Sequence, residues 1–191
     1  DAVFNQDIDM IRRAMEEVSH EDFDRAVDAV VSAEKVYVVG TRSSSALATF
    51  LSYYFGLILD DVHHLNVASE AEIFEQMIRI GKGDAVIGIS FPRYSKKVVK
   101  AMRFASDVGA KCIAITDSPV SPIAEAADFL LLARSGIASF VDSLVAPLSL
   151  LNAFIVATAI RRKADVAEMF RRLETIWDEY GVYEKVDEKT N

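Results

Sequence analysis

The sequence predicts a three-layer αβα sandwich built on a five-stranded parallel sheet, with helices in front of it. Short, β-branched apolar runs at residues 36–39, 85–89 and 111–115 alternate with longer segments of helical period. Strands buried on both faces read as near-continuous apolar runs of this kind. Each helical segment brings the chain back to a new strand, as right-handed parallel crossovers require. Hydrophobic residues make up 51% of the 191, enough for one α/β domain with a substantial core.

The elements follow in order. Ile8, Ile11, Met15 and Val18 form one apolar stripe of an opening helix. Ser19 precedes Asp22 with capping-box spacing and starts a second helix, whose buried face is Phe23, Ala26, Val27, Val30 and Val31. At Lys35 the period changes, and residues 36–39 form the first strand, ending at Gly40. The polar turn 41–45 leads into a helix carrying Leu47, Phe50, Leu51, Tyr54 and Phe55. A short second strand is expected over 62–65, a helix over 70–80 and a third strand over 85–89, which runs into a second polar turn at Ser90. Residues 96–108 read as a helix stopped by Gly109, 111–115 as the fourth strand, 123–127 as a short helix and 129–132 as the fifth strand. An apolar helix after Asp142 and an amphipathic segment over 166–177 complete the domain. Pro147 either begins that apolar helix or kinks it. The expected organisation is a helical connector over 1–33, the α/β domain over 34–180 and a tail over 181–191.

A net charge of −8 means that most of the surface repels a polyanion, so this chain alone is a poor nucleic-acid binder. The single cysteine, Cys112, cannot form an internal disulfide and lies in an apolar run where it acts as a small buried hydrophobe. That suits a reducing, cytoplasmic setting. The first residues lack the basic and apolar segments of a signal peptide. Residues 144–160 are apolar nearly all round, but they fall short of the roughly 20 residues of a spanning helix and include Pro147, Ser149, Asn152 and Thr158. A helix buried in a core or a subunit interface has the same pattern.

Ligands of open parallel sheets bind beyond the carboxyl ends of the strands, where the strand order reverses. The turns at those ends are Gly40-Thr41-Arg42-Ser43-Ser44-Ser45 and Ser90-Phe91-Pro92-Arg93-Tyr94-Ser95. Both feed a helix N-terminus, whose backbone amides and dipole favour phosphate. One Ser or Thr in such a turn is an ordinary N-cap. Two hydroxyl-rich turns on neighbouring strands, each with an arginine, point to a small phosphorylated ligand, although a free anion or a nucleotide fits the pattern too. Neither the dinucleotide-binding glycine pattern nor a G-x-x-x-x-G-K-[ST] loop occurs. Side-chain oxygens in place of glycines suit a ligand that is itself hydroxylated.

Residues 36–44 resemble the first strand and phosphate loop of sugar isomerase (SIS) domains, and residues 89–95 resemble their second loop. The sequence is similar to the effector domain of RpiR-type bacterial transcriptional regulators, also at residues 114–124 and 142–148. The resemblance implies a flavodoxin-like SIS fold and a phosphosugar site formed by Arg42, Ser43, Ser44 and Ser45 together with Ser90, Arg93 and Ser95. In SIS enzymes the second loop commonly reads S-x-S-G-x-[ST]; here Pro92 and Arg93 replace the central serine and glycine. The Arg93 guanidinium can compensate as a charged donor to phosphate oxygens. The family's regulators carry an N-terminal helix-turn-helix domain that this chain lacks, and helix 7–18 resembles the connector that follows it. The chain is therefore expected to be a fragment of a protein that reaches DNA through a domain outside it. A sugar phosphate effector and a homodimer or higher homo-oligomer are the implied partners, with no membrane, metal or cofactor.

Aldose–ketose isomerisation requires a base. The three histidines are His20, His63 and His64, and none follows position 64, where SIS isomerases often supply one. His63 and His64, adjacent in a strand, point to opposite faces and suit no shared metal. The remaining candidate bases are Glu70, Glu72, Glu75 and Asp142. Lys96, Lys97, Lys100 and Arg103 form either a solvated face or a positive field behind the second loop. A phosphosugar sensor is the expected function, with a sugar-phosphate aldose–ketose isomerase as the alternative.

Overall fold

The computed structural model describes residues 1–65, 69–138 and 141–183. Most of the expected tail, from residue 184 on, lies outside the described residues. Five parallel strands, β1 (Val36–Gly40), β2 (Val62–His64), β3 (Ala85–Ile89), β4 (Lys111–Thr116) and β5 (Phe129–Leu132), pair in the order β2-β1-β3-β4-β5. This is the flavodoxin-like order, whose direction of winding reverses between β1 and β3.

Strand alternation divides the core into two layers. Val36, Val38, Ile87, Ile89, Ile113 and Leu131 face α2 (His20–Ser32), α3 (Ser43–Ile58) and α6 (Val145–Arg161). Tyr37, Val39, Val86, Cys112 and Ala114 face α4 (Glu70–Gln76) and α5 (Lys96–Asp107). Cys112 is fully buried, and burial pushes its thiol up to about 12, so it packs as an inert small side chain. The Ser19 hydroxyl caps α2 by accepting from the Asp22 amide at 3.1 Å. The Asp22 carboxylate does not complete a reciprocal box; it accepts from the Leu130 amide of edge strand β5 at 3.1 Å. Gly109, at φ 84°, follows the end of α5 as expected.

Three expectations need correction. Helix α1 (Ala2–Glu17) forms, but it buries Met10 and Ala14, while Ile8, Ile11 and Met15 of the anticipated stripe stay exposed. Its docking surface is α6, which admits the side of α1 that carries Ala14. Helix α4 stops at Gln76 instead of reaching Ile80, because an irregular turn buries both Met77 and Ile80 and leaves Ile78 outside. The expected helix at 123–127 is a single 3₁₀ turn, Ala124–Ala126.

A short antiparallel hairpin, β6 (Gly136–Ala138) with β7 (Val141–Ser143), was not anticipated. Pro147 is the third residue of α6, within the first turn, where a missing N–H breaks no helical bond. Helix α6 packs against α1, α2 and α3, and the chain bends by 99° at Arg162 into α7 (Lys163–Glu179). Among the described residues no single helix is long and apolar enough to cross a membrane.

Close packing of α3 on the sheet depends on Gly40. A Cβ there would come within 2.5 Å of the Ser44 carbonyl oxygen, whereas at Gly88 the obstacle is the flexible side chain of Met102. Gly40→Ala is expected to cost about 1–3 kcal/mol, since backbone must move, and Gly88→Ala less, because Met102 can repack. Chemical denaturation of the two variants checks the ranking.

Candidate functional site

The β1–β3 register sets Gly40 beside Ile89, so the loops that leave these strands start next to each other at the carboxyl edge of the sheet. The first loop is a tight turn in which the Ser44 amide donates to the Thr41 carbonyl at 3.1 Å. Arg42, its second residue, has φ 56° and ψ −128°, the backbone of a type II′ turn, which favours glycine. In the second loop Arg93 sits at φ 72°. Arg42 and Arg93 are the two non-glycine residues with positive φ among those described. A left-handed or mirror conformation of a residue with a Cβ costs on the order of 1–3 kcal/mol, and such strain gathers at ligand sites. Here it falls on the two arginines that flank one cavity.

That cavity, of about 130 Å³, is lined by Thr41, Arg42, Ser43, Ser44, Ser90, Phe91, Pro92, Arg93, Ser95 and Asp142. Six of the seven expected binding residues are therefore brought together. The exception is Ser45, whose hydroxyl donates to the Arg42 carbonyl at 2.6 Å. The volume is below the roughly 300 Å³ at which pockets for drug-sized ligands begin and is on the scale of an anionic head group. Larger recesses of about 350 and 470 Å³ lie at the opposite, amino ends of the strands, lined by charges of both signs. The smaller cavity is the one that faces the first turns of two helices, where amides and dipoles converge.

The second loop is tied down from beneath. Buried Ser90 accepts the Ser95 amide at 3.2 Å and so fixes the first turn of α5. Tyr94 donates to Asp117, in the turn after β4, at 2.8 Å, and burial together with that carboxylate pushes its phenol up to about 12.

Across the cavity, both carboxylate oxygens of Asp142 of β7 accept from a single nitrogen, Arg93 Nη2, at 2.9 and 2.8 Å, and Asp142 lies 3.5 Å from Ser43 Oγ. Asp142 thus enters the site as a partner of Arg93. Glu70 and Glu72 do not line the cavity: Glu70 pairs with Lys100 at 2.6 Å, and Glu72 is exposed on α4, where its amide donates to the capping Ser69 hydroxyl. Arg103 of the basic stretch pairs with Glu125 at 2.8 Å. His63 is engaged by Asp61 at 2.8 Å and stacks on Tyr37, away from the cavity. Thr41 and the Tyr94–Asp117 strut were missed by sequence reasoning. Thr41 was legible as a member of the turn, whereas the strut joins residues 23 apart with no local signature.

The sequence model of the SIS domain matches residues 30–157. An uncharacterised HTH-type transcriptional regulator of Caldanaerobacter subterraneus subsp. tengcongensis is 28% identical over 156 residues, which cover 76% of this chain and 52% of that protein. The sugar isomerase domain of the RpiR transcription factor from Sphaerobacter thermophilus is similar in structure, with a TM-score of 0.86 and 27% identity over 91% of this chain and 97% of that one. The Vibrio vulnificus NanR protein complexed with ManNAc-6P shares the fold, with a TM-score of 0.81 and 16% identity over 94% of this chain and 69% of that one. The chain spans about half the length of the regulator that it matches.

Replacing Arg42 by glycine relieves the type II′ strain while adding some entropy to the unfolded chain. Arg42→Gly is expected to stabilise the fold by about 1 kcal/mol while removing one cation from the cavity. Denaturant midpoints test this, and an unchanged or lowered midpoint contradicts it.

Proposed function

Because this chain belongs to the SIS domain family, we propose that it is the phosphosugar-binding effector domain of an RpiR-type transcriptional regulator. The observation that carries the reading is the convergence of two hydroxyl-bearing helix N-termini, Ser43–Ser44 and Ser90–Ser95, with Arg42 and Arg93 on one cavity. Phosphate takes the donors of the two turns and the guanidinium groups, while the sugar extends toward open solvent. The likeness to the RpiR sugar isomerase domain and to the HTH-type regulator supports the regulatory half of the proposal. NanR offers an instance of the same fold with a sugar phosphate, ManNAc-6P.

Asp142 is the carboxylate that lines the cavity, and both its oxygens accept from Arg93. It is thereby drawn away from the role of a free base, which favours sensing over isomerisation. The exposed apolar residues Val3, Phe4, Ile8 and Met15 of α1, and Val156 and Ile160 of α6, support assembly into at least a homodimer. In such an assembly, occupancy of the cavity biases the spacing of DNA-binding domains attached ahead of α1.

A thermal-shift screen against hexose, pentose and amino-sugar phosphates, with each hit checked for chemical conversion, tests the reading. A sugar phosphate that raises Tm and is recovered unchanged is the expected result. Ser43→Ala and Ser90→Ala should each lower that shift, with the Ser90 variant also losing stability, since its hydroxyl holds the Ser95 amide. Interconversion of aldose and ketose phosphates assigns an isomerase instead.

A further inference from the structure

Asp142 stands at the junction of two sets of contacts. Toward the cavity, both oxygens of its carboxylate accept from Arg93 Nη2, and it approaches Ser43 Oγ. Carboxylate and phosphate oxygens are alternative acceptors for a guanidinium, so Asp142 occupies the Arg93 Nη2 edge that an incoming phosphate would use. Two anions on that one nitrogen repel each other at a few ångströms, which sets them in competition for it. The pair is open enough to exchange: the Arg93 side chain is 61% exposed and that of Asp142 26%.

Toward the outside, the next residue, Ser143, donates to Asp7 of α1 at 2.7 Å. Its partner across the hairpin, Gly136, lies directly against α1, where a Cβ would come within 2.5 Å of Met10 Sδ. Arg134, just before β6, holds Glu17 at the end of α1 with bonds of 2.9 and 2.8 Å. A two-stranded ribbon this short has little stability of its own, so its position is set by these ties. One side of the hairpin is fastened along α1, and the other reaches the cavity through Asp142.

We infer that Asp142 is an internal stand-in for the ligand's phosphate, which is displaced from Arg93 on binding and passes that displacement through the β6–β7 hairpin to α1. The inference rests on the phosphate-binding reading above and gives it a physical route out of the pocket. The cavity has two competing tenants, one brought by the ligand and one attached to the hairpin. Binding energy that differs between the two arrangements is what shifts the hairpin.

Amide hydrogen exchange on the 191-residue chain tests the inference, with inorganic phosphate as the probe. Without phosphate, Asp142→Asn and Arg93→Ala should each speed exchange in residues 136–138, 141–143 and α1 by about twofold to fivefold, the scale of a partly exposed ion pair. Residues 98–107 of α5 serve as the unchanged reference. Phosphate should produce the same pattern in the wild type and add nothing in Asp142→Asn, which binds phosphate about twofold to fivefold more tightly because its competitor is gone. Wild-type exchange in α1 for both variants overturns the inference, as does weaker phosphate binding by Asp142→Asn. If phosphate binds neither the wild type nor Asp142→Asn, the phosphate-binding reading fails, while the phosphate-free comparison still decides the link from Asp142 to α1.

Discussion

The parallel pairing of β1 with β3 brings together the two loops that form the cavity. It sets Gly40 beside Ile89 at the point where the sheet reverses its direction of winding. With the loops side by side, the helices they feed, α3 and α5, present their first turns to a common space. Gly40 allows α3 to start close against the sheet, since any Cβ would strike the Ser44 carbonyl. The cavity is thus a consequence of topology and of one missing side chain, and the hydroxyls and guanidinium groups furnish it.

Within that space, the unfavourable backbone positions and the charges coincide. Arg42 and Arg93 both adopt positive φ, conformations that other parts of the fold must hold in place. The Ser44 and Ser45 amides close the first turn, and Ser90, Tyr94 and Asp117 brace the second. Asp142 completes the arrangement by neutralising Arg93 from a separate hairpin. An arginine that already has a carboxylate partner is a different binding element from a free one: anion affinity is reduced, and binding is made to depend on moving something else.

What the sequence made legible was local. Residues 36–40 and 85–89 read directly as buried parallel strands, and the serines behind them read as helix starts, because strand period and capping chemistry are written in adjacent residues. That two hydroxyl-rich turns, each with an arginine, meet on neighbouring strands followed from the topology, whereas the set Arg42, Ser43, Ser44, Ser45, Ser90, Arg93 and Ser95 is what the resemblance to SIS domains implies, and all of it but Ser45 lines one cavity. The Arg93–Asp142 pair, 49 residues apart in the chain, carries no such signature. Nor does the positive φ at two arginines, since nothing in their type announces it. Helix α1 was read with its faces exchanged for a related reason: period 3.6 identifies a helix and an apolar stripe, but which side docks depends on the partner, and α6 and the hairpin receive Met10 and Ala14 rather than Ile8 and Met15. Ser45 satisfies the residue pattern of a ligand donor, yet its hydroxyl turns to a nearby carbonyl, the usual competition between short polar side chains and local backbone.

In the proposed function, one cavity at the carboxyl edge of the sheet binds the phosphate of a sugar phosphate. A crystal structure of the chain with the sugar phosphate that raises its Tm most tests this directly. The phosphorus atom is expected between the first turns of α3 and α5, within hydrogen-bonding reach of Ser43 or Ser44, of Ser95 and of Arg93. A phosphate seated instead in either recess at the amino ends of the strands would contradict it.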